Sequence, residues 1–157
     1  MQDNSRYDKL KLLVYNELSI IEEKLISGIN IKEPLNSSLK NFLMSPSKRV
    51  RSVIPALYIK ALEKDLIDSQ LEFLSAIELI HNSSLIHDDV IDESKIRRGK
   101  PSVCCEFGNK LAVISGDYLI ACAMKKLTKL GNIDIITMIS ETISYMCVGE
   151  INQNYNR

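Results

Sequence analysis

Apolar positions recur at three- and four-residue steps along most of the chain, and no stretch of useful length shows the two-residue alternation of a strand. From Tyr7 to about Ile26, Leu10, Leu13, Val14, Leu18, Ile21 and Leu25 mark one face of an amphipathic helix, which Gly28-Ile29-Asn30 ends. A short helix is predicted from roughly Pro34 to Met44, with Pro34 near its first turn, before Ser45-Pro46-Ser47 breaks the chain. Lys48 to Leu62 sets Val50, Ile54, Leu57, Tyr58 and Leu62 on one side, and Pro55 inside that run predicts a kink or a delayed start. Ile67 to Ile91 repeats the pattern through Leu71, Leu74, Ile77 and Leu85. Beyond a loop around Arg97 to Pro101, Phe107 to Leu130 is apolar nearly all round, which predicts a helix buried within a bundle and stopped by Gly131-Asn132. The last run, Asp134 to about Asn154, opens with an acid in its first turn and carries Ile136, Met138, Ile139, Ile143, Met146 and Val148. These patterns predict an all-α bundle of about six helices in a single domain over residues 1–157.

Composition narrows the possibilities. With 45% apolar and 25% charged residues, 157 positions suffice for a real core. The 20 basic and 20 acidic residues cancel, leaving no global field to draw in nucleic acid or an anionic membrane surface, so any anion site must be local. Met1-Gln2-Asp3-Asn4-Ser5-Arg6 opens polar, without the pattern of a secretory signal, and charges interrupt every apolar run before 18 residues; no transmembrane segment and a cytoplasmic location are expected. Cys104, Cys105, Cys122 and Cys147 have neither disulfide-framework nor zinc spacing and are expected as buried or half-buried thiols.

One stretch breaks local rules. His87-Asp88-Asp89-Val90-Ile91-Asp92-Glu93-Ser94 packs four acids at the end of a predicted helix, with Asp88 and Asp92 four residues apart on one face, where both mutual repulsion and the helix dipole oppose them. The compensation expected for such a cluster is a hard cation with oxygen ligands, magnesium holding a phosphate. Lys48, Arg49 and Arg51 gather at a predicted helix N-terminus, where an anion would satisfy both the side chains and the free N–H groups. Arg97-Arg98 offers two planar forks suited to phosphate, and His81, seven residues before Asp88, looks along the same groove; His87 departs from that face and is expected in a supporting or capping role. Gly116-Asp117 and Gly149-Glu150 with Gln153 place polar groups inside apolar helices, which suggests a polar cavity.

These residues, in this order, resemble the trans-isoprenyl (polyprenyl) diphosphate synthases, most closely the long-chain type. The first aspartate-rich motif of that family reads here as Asp88-Asp89-Val90-Ile91-Asp92 with Arg97-Arg98-Gly99 behind it, and Glu78-Leu79-Ile80-His81, Lys48-Arg49-Val50-Arg51, Gly116-Asp117 and Gly149-Glu150 fall at the expected places. The resemblance implies the N-terminal half of the isoprenoid synthase fold. It implies condensation of isopentenyl diphosphate onto an allylic diphosphate: Asp88 and Asp92 would bind magnesium with Asp89 in support, and Arg97 would contact the allylic diphosphate. Lys48, Arg51, His81 and Arg98 would hold isopentenyl diphosphate. Product length in the family follows bulk just upstream of the aspartates, here Ser83 and Ser84, which favours a long product unless Tyr145 or Phe42 closes the tunnel.

Two departures qualify that expectation. The family's Gly-Gly before Lys48 and Pro after Arg51 are here Pro46-Ser47 and Ser52, so the loop loses glycine's access to positive φ. The second aspartate-rich motif has no counterpart before Arg157, so the expectation is half of a catalytic domain, with little or no turnover alone, in a homodimer or associated with a C-terminal half. A non-catalytic diphosphate-binding or regulatory subunit is the alternative, followed by a terpene cyclase, which would have no need of the Lys48, Arg51, His81 and Arg98 cluster. A calcium-binding helix–loop–helix lacks the required alternating ligands and glycine.

Overall fold

The computed structural model describes residues 3–62 and 64–155; Met1, Gln2 and the last two residues lie outside the described residues. Eight helices and one two-stranded hairpin occur among them: α1 Asp3–Leu12, α2 Tyr15–Ile26, α3 Leu35–Leu43, α4 Val50–Ala61, α5 Asp68–Ile91, β1 Ile96–Arg97, β2 Lys100–Pro101, α6 Val103–Phe107, α7 Asn109–Lys129 and α8 Ile133–Tyr155. Among the described residues no helix is long and apolar enough to cross a membrane.

α5 is the central helix. Its inner face, from Leu71 through Leu74, Ala76, Leu79 and Ile86, is closed on one side by α2 and α4 and on the other by α7. One core cluster joins Val14, Leu18, Ile21, Val53 and Ala56 to Leu71 and Leu74; the larger one joins Leu25, Leu39, Leu43, Leu79, Ile86, Leu119 and Leu127. Each such fully enclosed Leu or Ile contributes about 1.5–3 kcal/mol relative to exposure. The α5–α7 crossing is tight because Gly116 has no side chain: a Cβ there would lie 2.2 Å from His87 Nε2.

Three elements differ from the sequence expectation. The first helix is two, because the chain tightens at Leu13 and Val14 through hydrogen bonds from their N–H groups to the Leu10 and Lys11 carbonyls; Val14 is buried while Leu10 and Leu13 stay exposed. α4 runs through Pro55, leaving the Arg51 carbonyl without the amide donor four residues on. The segment read as loop contains a hairpin and the short α6. Arg98 and Gly99 turn the hairpin with φ of 51° and 77°, the doubly positive pair of a tight two-residue turn, and Gly108, φ 82°, separates α6 from α7.

Two further expectations are corrected. α7 is not buried all round: Leu111, Val113 and Ile114 are exposed, and on α8 only Ile139 is buried. Of the four free cysteines, Cys104 and Cys122 are half-buried while Cys105 and Cys147 are exposed, being on outward helix faces.

Candidate functional site

The C-terminal end of α5 is built to hold carboxylates that its own dipole disfavours. Asp92 is the C-cap, Glu93 takes the left-handed conformation at φ 51°, and the Ser94 and Glu93 N–H groups donate back to the Asp89 and Val90 carbonyls at 2.9 and 3.4 Å. This closure usually uses glycine, so Glu93 carries a strain of about 1–2 kcal/mol. Ser102, the N-cap of α6, braces the turn: its Oγ donates to the Ser94 carbonyl at 2.5 Å.

The three aspartates then diverge. Asp89 is 1% exposed and turned inward, where Arg97 Nε donates to its Oδ1 at 2.9 Å and Arg97 Nη2 donates to the same oxygen. Its Oδ2 is buried without a hydrogen-bond partner. Asp88 and Asp92 stand on the outer side. Burial first, then Glu150 on α8 and Asp92, raise the Asp88 carboxyl above its usual value, while Arg97 works the other way. An apolar-walled cavity of about 290 Å³ lies beside this acid zone, between Ile91 and the α8 residues Glu150, Ile151, Asn154 and Tyr155.

Two turns earlier on α5 the sign reverses. His81 is half-buried, and its imidazole is pushed down to about 4 by burial and by the surrounding Arg51, Arg98, Arg49 and Arg97. Arg51 and His81 share a cavity of about 130 Å³ with Ile77, Ile80 and four residues of α8. Arg98 lies over the Phe42 ring at 5.7 Å, donates to Asn82 Oδ1 at 3.4 Å, and keeps a buried Nη1 without a hydrogen-bond partner. Burial, and next the nearby Arg49, lower its guanidinium from the ordinary value. Lys48 is exposed on the loop before α4. A neutral imidazole among guanidiniums, with an orphaned donor, fits a bound anion.

Arg49 leaves the expected trio. It enters at φ 51° and buries its guanidinium, donating to the Leu43 carbonyl at 2.5 Å, Glu22 Oε1 at 3.2 Å and Glu78 Oε2 at 3.4 Å. Glu78 in turn accepts from Ser52 Oγ at 2.8 Å, and its carbonyl accepts from Asn82 Nδ2 at 2.7 Å. The positive φ in this loop falls on Arg49.

Residues 32–157 match the family model described as polyprenyl synthetase. The chain belongs to that family. It is 39% identical over 144 residues to a prenyl transferase of Cyanidium caldarium, covering 90% of this chain and 45% of the relative. It is 34% identical over 139 residues to heptaprenyl diphosphate synthase component 2 of Geobacillus stearothermophilus, covering 88% and 43%. The crystal structure of heptaprenyl diphosphate synthase from Staphylococcus aureus superposes with a TM-score of 0.81 at 30% identity, over 89% of this chain and 45% of that one. The chain thus spans a little under half the length of the relatives it matches, and its all-α fold is of the isoprenoid synthase type.

Within this polyprenyl synthetase fold, Asp88, Asp92, His81 and Ser84 lie along one stripe of α5, whereas Ser83 is fully buried on the opposite side, donating to the Gly116 carbonyl at 2.8 Å. Ser84 Oγ turns back to the His81 carbonyl at 2.9 Å. Phe42 is occupied by Arg98, and Tyr145 is 75% exposed. His87 wedges over Gly116 with Nε2 3.2 Å from the Val113 carbonyl and 3.4 Å from Asp117 Oδ1, a packing role between α5 and α7. The supporting hydrogen bonds among Glu78, Asn82 and Ser52 carry no local signal in the sequence, because the Ser52–Glu78 contact joins residues remote along the chain.

Among the described residues no group of three carboxylate, imidazole or thiolate side chains converges to hold a metal unaided. Magnesium is ordinarily held by one or two carboxylates with phosphate oxygens and water completing its shell. The hard oxygen donors of Asp88, which Glu150 crowds, and of Asp92 suit that arrangement.

Proposed function

We propose that this chain supplies the first aspartate-rich half of a prenyltransferase site that condenses isopentenyl diphosphate onto an allylic diphosphate to give a long polyprenyl diphosphate. The reading is carried by the reversal of charge along one groove, with Asp88 and Asp92 at one end and Arg51 and Arg98 around a neutral His81 at the other. Asp88 and His81 are seven residues apart, about 10 Å along the axis, so an acid zone and a cation zone face the same groove at a spacing that keeps two diphosphates apart.

Asp88 and Asp92 would hold magnesium against the allylic diphosphate, where the ion would neutralise charge gathering on the leaving group. Asp89 keeps Arg97 beside that end, and Arg97 supports the departing diphosphate as the allylic carbon–oxygen bond ionises. Lys48, Arg51, neutral His81 and Arg98 bind the diphosphate of isopentenyl diphosphate and aim its double bond at the allylic carbon. Ser84 adds little bulk on the Asp88 stripe, which suits a long product. The exposed apolar faces of α7 and α8 would be covered by further helices, of the same protein or of a partner chain, and those helices complete the water-excluding cavity.

Calorimetry tests the two anchors separately. Binding of an allylic thiodiphosphate should require magnesium and be lost in Asp88→Asn/Asp92→Asn, while isopentenyl diphosphate should bind without metal and lose affinity in Lys48→Ala/Arg51→Ala. Binding that responds to neither pair of substitutions refutes the assignment. The 157 residues alone should show no sustained isopentenyl incorporation. A non-catalytic diphosphate-binding subunit is the second reading, favoured by the extent of exposed apolar surface on α8; it requires that both substrates bind and that no added partner restores turnover through Asp88.

A further inference from the structure

The loop that carries Lys48 is held by an element remote in sequence. Lys11 Nζ donates to the Ser47 carbonyl at 3.1 Å, and Tyr7 Oη donates to the Lys48 carbonyl at 2.5 Å. Both donors come from α1, one turn apart on a single face. They capture two successive carbonyls of a segment that has no helical partners for them, while Arg49 takes the Leu43 carbonyl on the other side. α1 otherwise contributes little to the core: Leu10 and Leu12 are 46% and 68% exposed, and among its described side chains Tyr7 alone reaches the cluster around Val14 and Val53. It also lies outside the 32–157 stretch that matches the family model.

We propose that α1 is a positioning element for the anion loop: Tyr7 and Lys11 clamp the Ser47 and Lys48 carbonyls and so hold Lys48 and Arg51 in the geometry that receives a diphosphate. The clamp rests on the assignment of Lys48 and Arg51 as diphosphate ligands. Its physical basis is preorganisation. Pro46-Ser47-Lys48 connects α3 to α4 with Pro46 and Lys48 exposed and Ser47 half-buried, and a loop whose carbonyls are already bonded loses less freedom when an anion docks. Lys11 also adds a positive charge behind the loop. Tyr7 and Lys11 do not touch the anion; they act through the backbone of the residues that do.

The test is calorimetric titration of the 157-residue chain with inorganic diphosphate in metal-free buffer, comparing the unaltered protein with Tyr7→Phe/Lys11→Met, Lys11→Arg and Lys48→Ala/Arg51→Ala. The clamp predicts about a tenfold loss of affinity in Tyr7→Phe/Lys11→Met, the scale of one or two lost hydrogen bonds. Far-UV circular dichroism should be unchanged, and amide exchange should quicken only across residues 45–49. Lys11→Arg should keep the affinity, since it retains a charged donor. Unchanged affinity in Tyr7→Phe/Lys11→Met, with binding abolished in Lys48→Ala/Arg51→Ala, overturns the clamp and leaves the site assignment standing. A loss of affinity accompanied by loss of helical signal throughout the chain also overturns it, as a folding effect. Failure of the unaltered chain to bind diphosphate, or full binding by Lys48→Ala/Arg51→Ala, overturns the site assignment and the clamp together.

Discussion

Arg49→Met isolates the worth of the buried Arg49–Glu78 pair. Methionine keeps much of the stem and removes the guanidinium. Glu78, whose side chain is 3% exposed, then loses its cationic partner at 3.4 Å and keeps Ser52 Oγ at 2.8 Å as a side-chain donor. The Leu43 carbonyl loses a donor at 2.5 Å. The Arg49–Glu22 pair matters less, because the Glu22 side chain is 34% exposed and such contacts contribute about 1 kcal/mol at most. Stranding a buried charge costs about 3–5 kcal/mol, against a total stability of about 5–15 kcal/mol, so the variant should fold at 25 °C with a sharply lower urea midpoint. Adding Glu78→Gln removes the stranded charge while leaving an acceptor for Ser52, and should return more than half of the loss. Urea unfolding followed by circular dichroism for the two single variants and the double gives the coupling energy directly. A loss below about 1 kcal/mol for Arg49→Met, or a double variant no more stable than Arg49→Met, refutes the pair as the support of the cation zone.

Gly116→Ala should change sign with its neighbour: beside His87 the new Cβ meets the ring at 2.2 Å and the variant loses about 1–2 kcal/mol, whereas with His87→Ala helix propensity alone should give a gain of up to about 1 kcal/mol in thermal melts. In metal-free protein Asp88→Asn should stabilise slightly at pH 7, by a few tenths of a kcal/mol once solvent screening is allowed for, while abolishing magnesium-linked binding. Because the folded Asp88 pKa is raised, the native protein has its full share of that stability at low pH and loses it as pH rises; the advantage of Asp88→Asn should therefore vanish on acidification, and a constant advantage across pH would refute the crowding by Glu150 and Asp92. His81 titrates in the opposite sense: with its pKa lowered to about 4, the stability linked to it is present above about 6.5 and lost as pH falls toward 4. His81→Gln should flatten that part of the pH profile, and an unchanged profile would refute the lowering that burial and then the nearby guanidiniums impose on the ring.

The residues that touch charge were legible because they break local rules in the sequence itself. Acids at a helix C-terminus and cations at a helix N-terminus conflict with the dipole wherever the rest of the chain lies, so Asp88, Asp92, Lys48 and Arg51 stand out without any tertiary knowledge. Arg49 has the same local signal as Lys48, yet it turns inward, because only the folded arrangement brings Glu22, Glu78 and the Leu43 carbonyl to one point. The hairpin at residues 96–101 escaped notice because two-residue strands carry no alternation; Gly99 alone marked it, and the second positive φ falls on Arg98. The burial predicted for α7 failed because periodicity reports that a face is apolar and not what covers it.

The two ends of the groove differ in how firmly they are held. The cation zone stands on buried polar contacts: Glu78 and Asn82 on the inner side of α5, Arg49 beneath the loop, and Ser52 at the start of α4. The acid zone faces Glu150, a like charge on α8, and α8 buries only Ile139 among the described residues. Segments with few buried apolar contacts open at low free-energy cost, so the wall beside Asp88 is the softer one. Covering α8 would act on both ends of the groove, since Ile139, Thr142, Ile143 and Met146 wall the cavity of Arg51 and His81, but more on the Asp88 end, which lies beyond the buried Ile139.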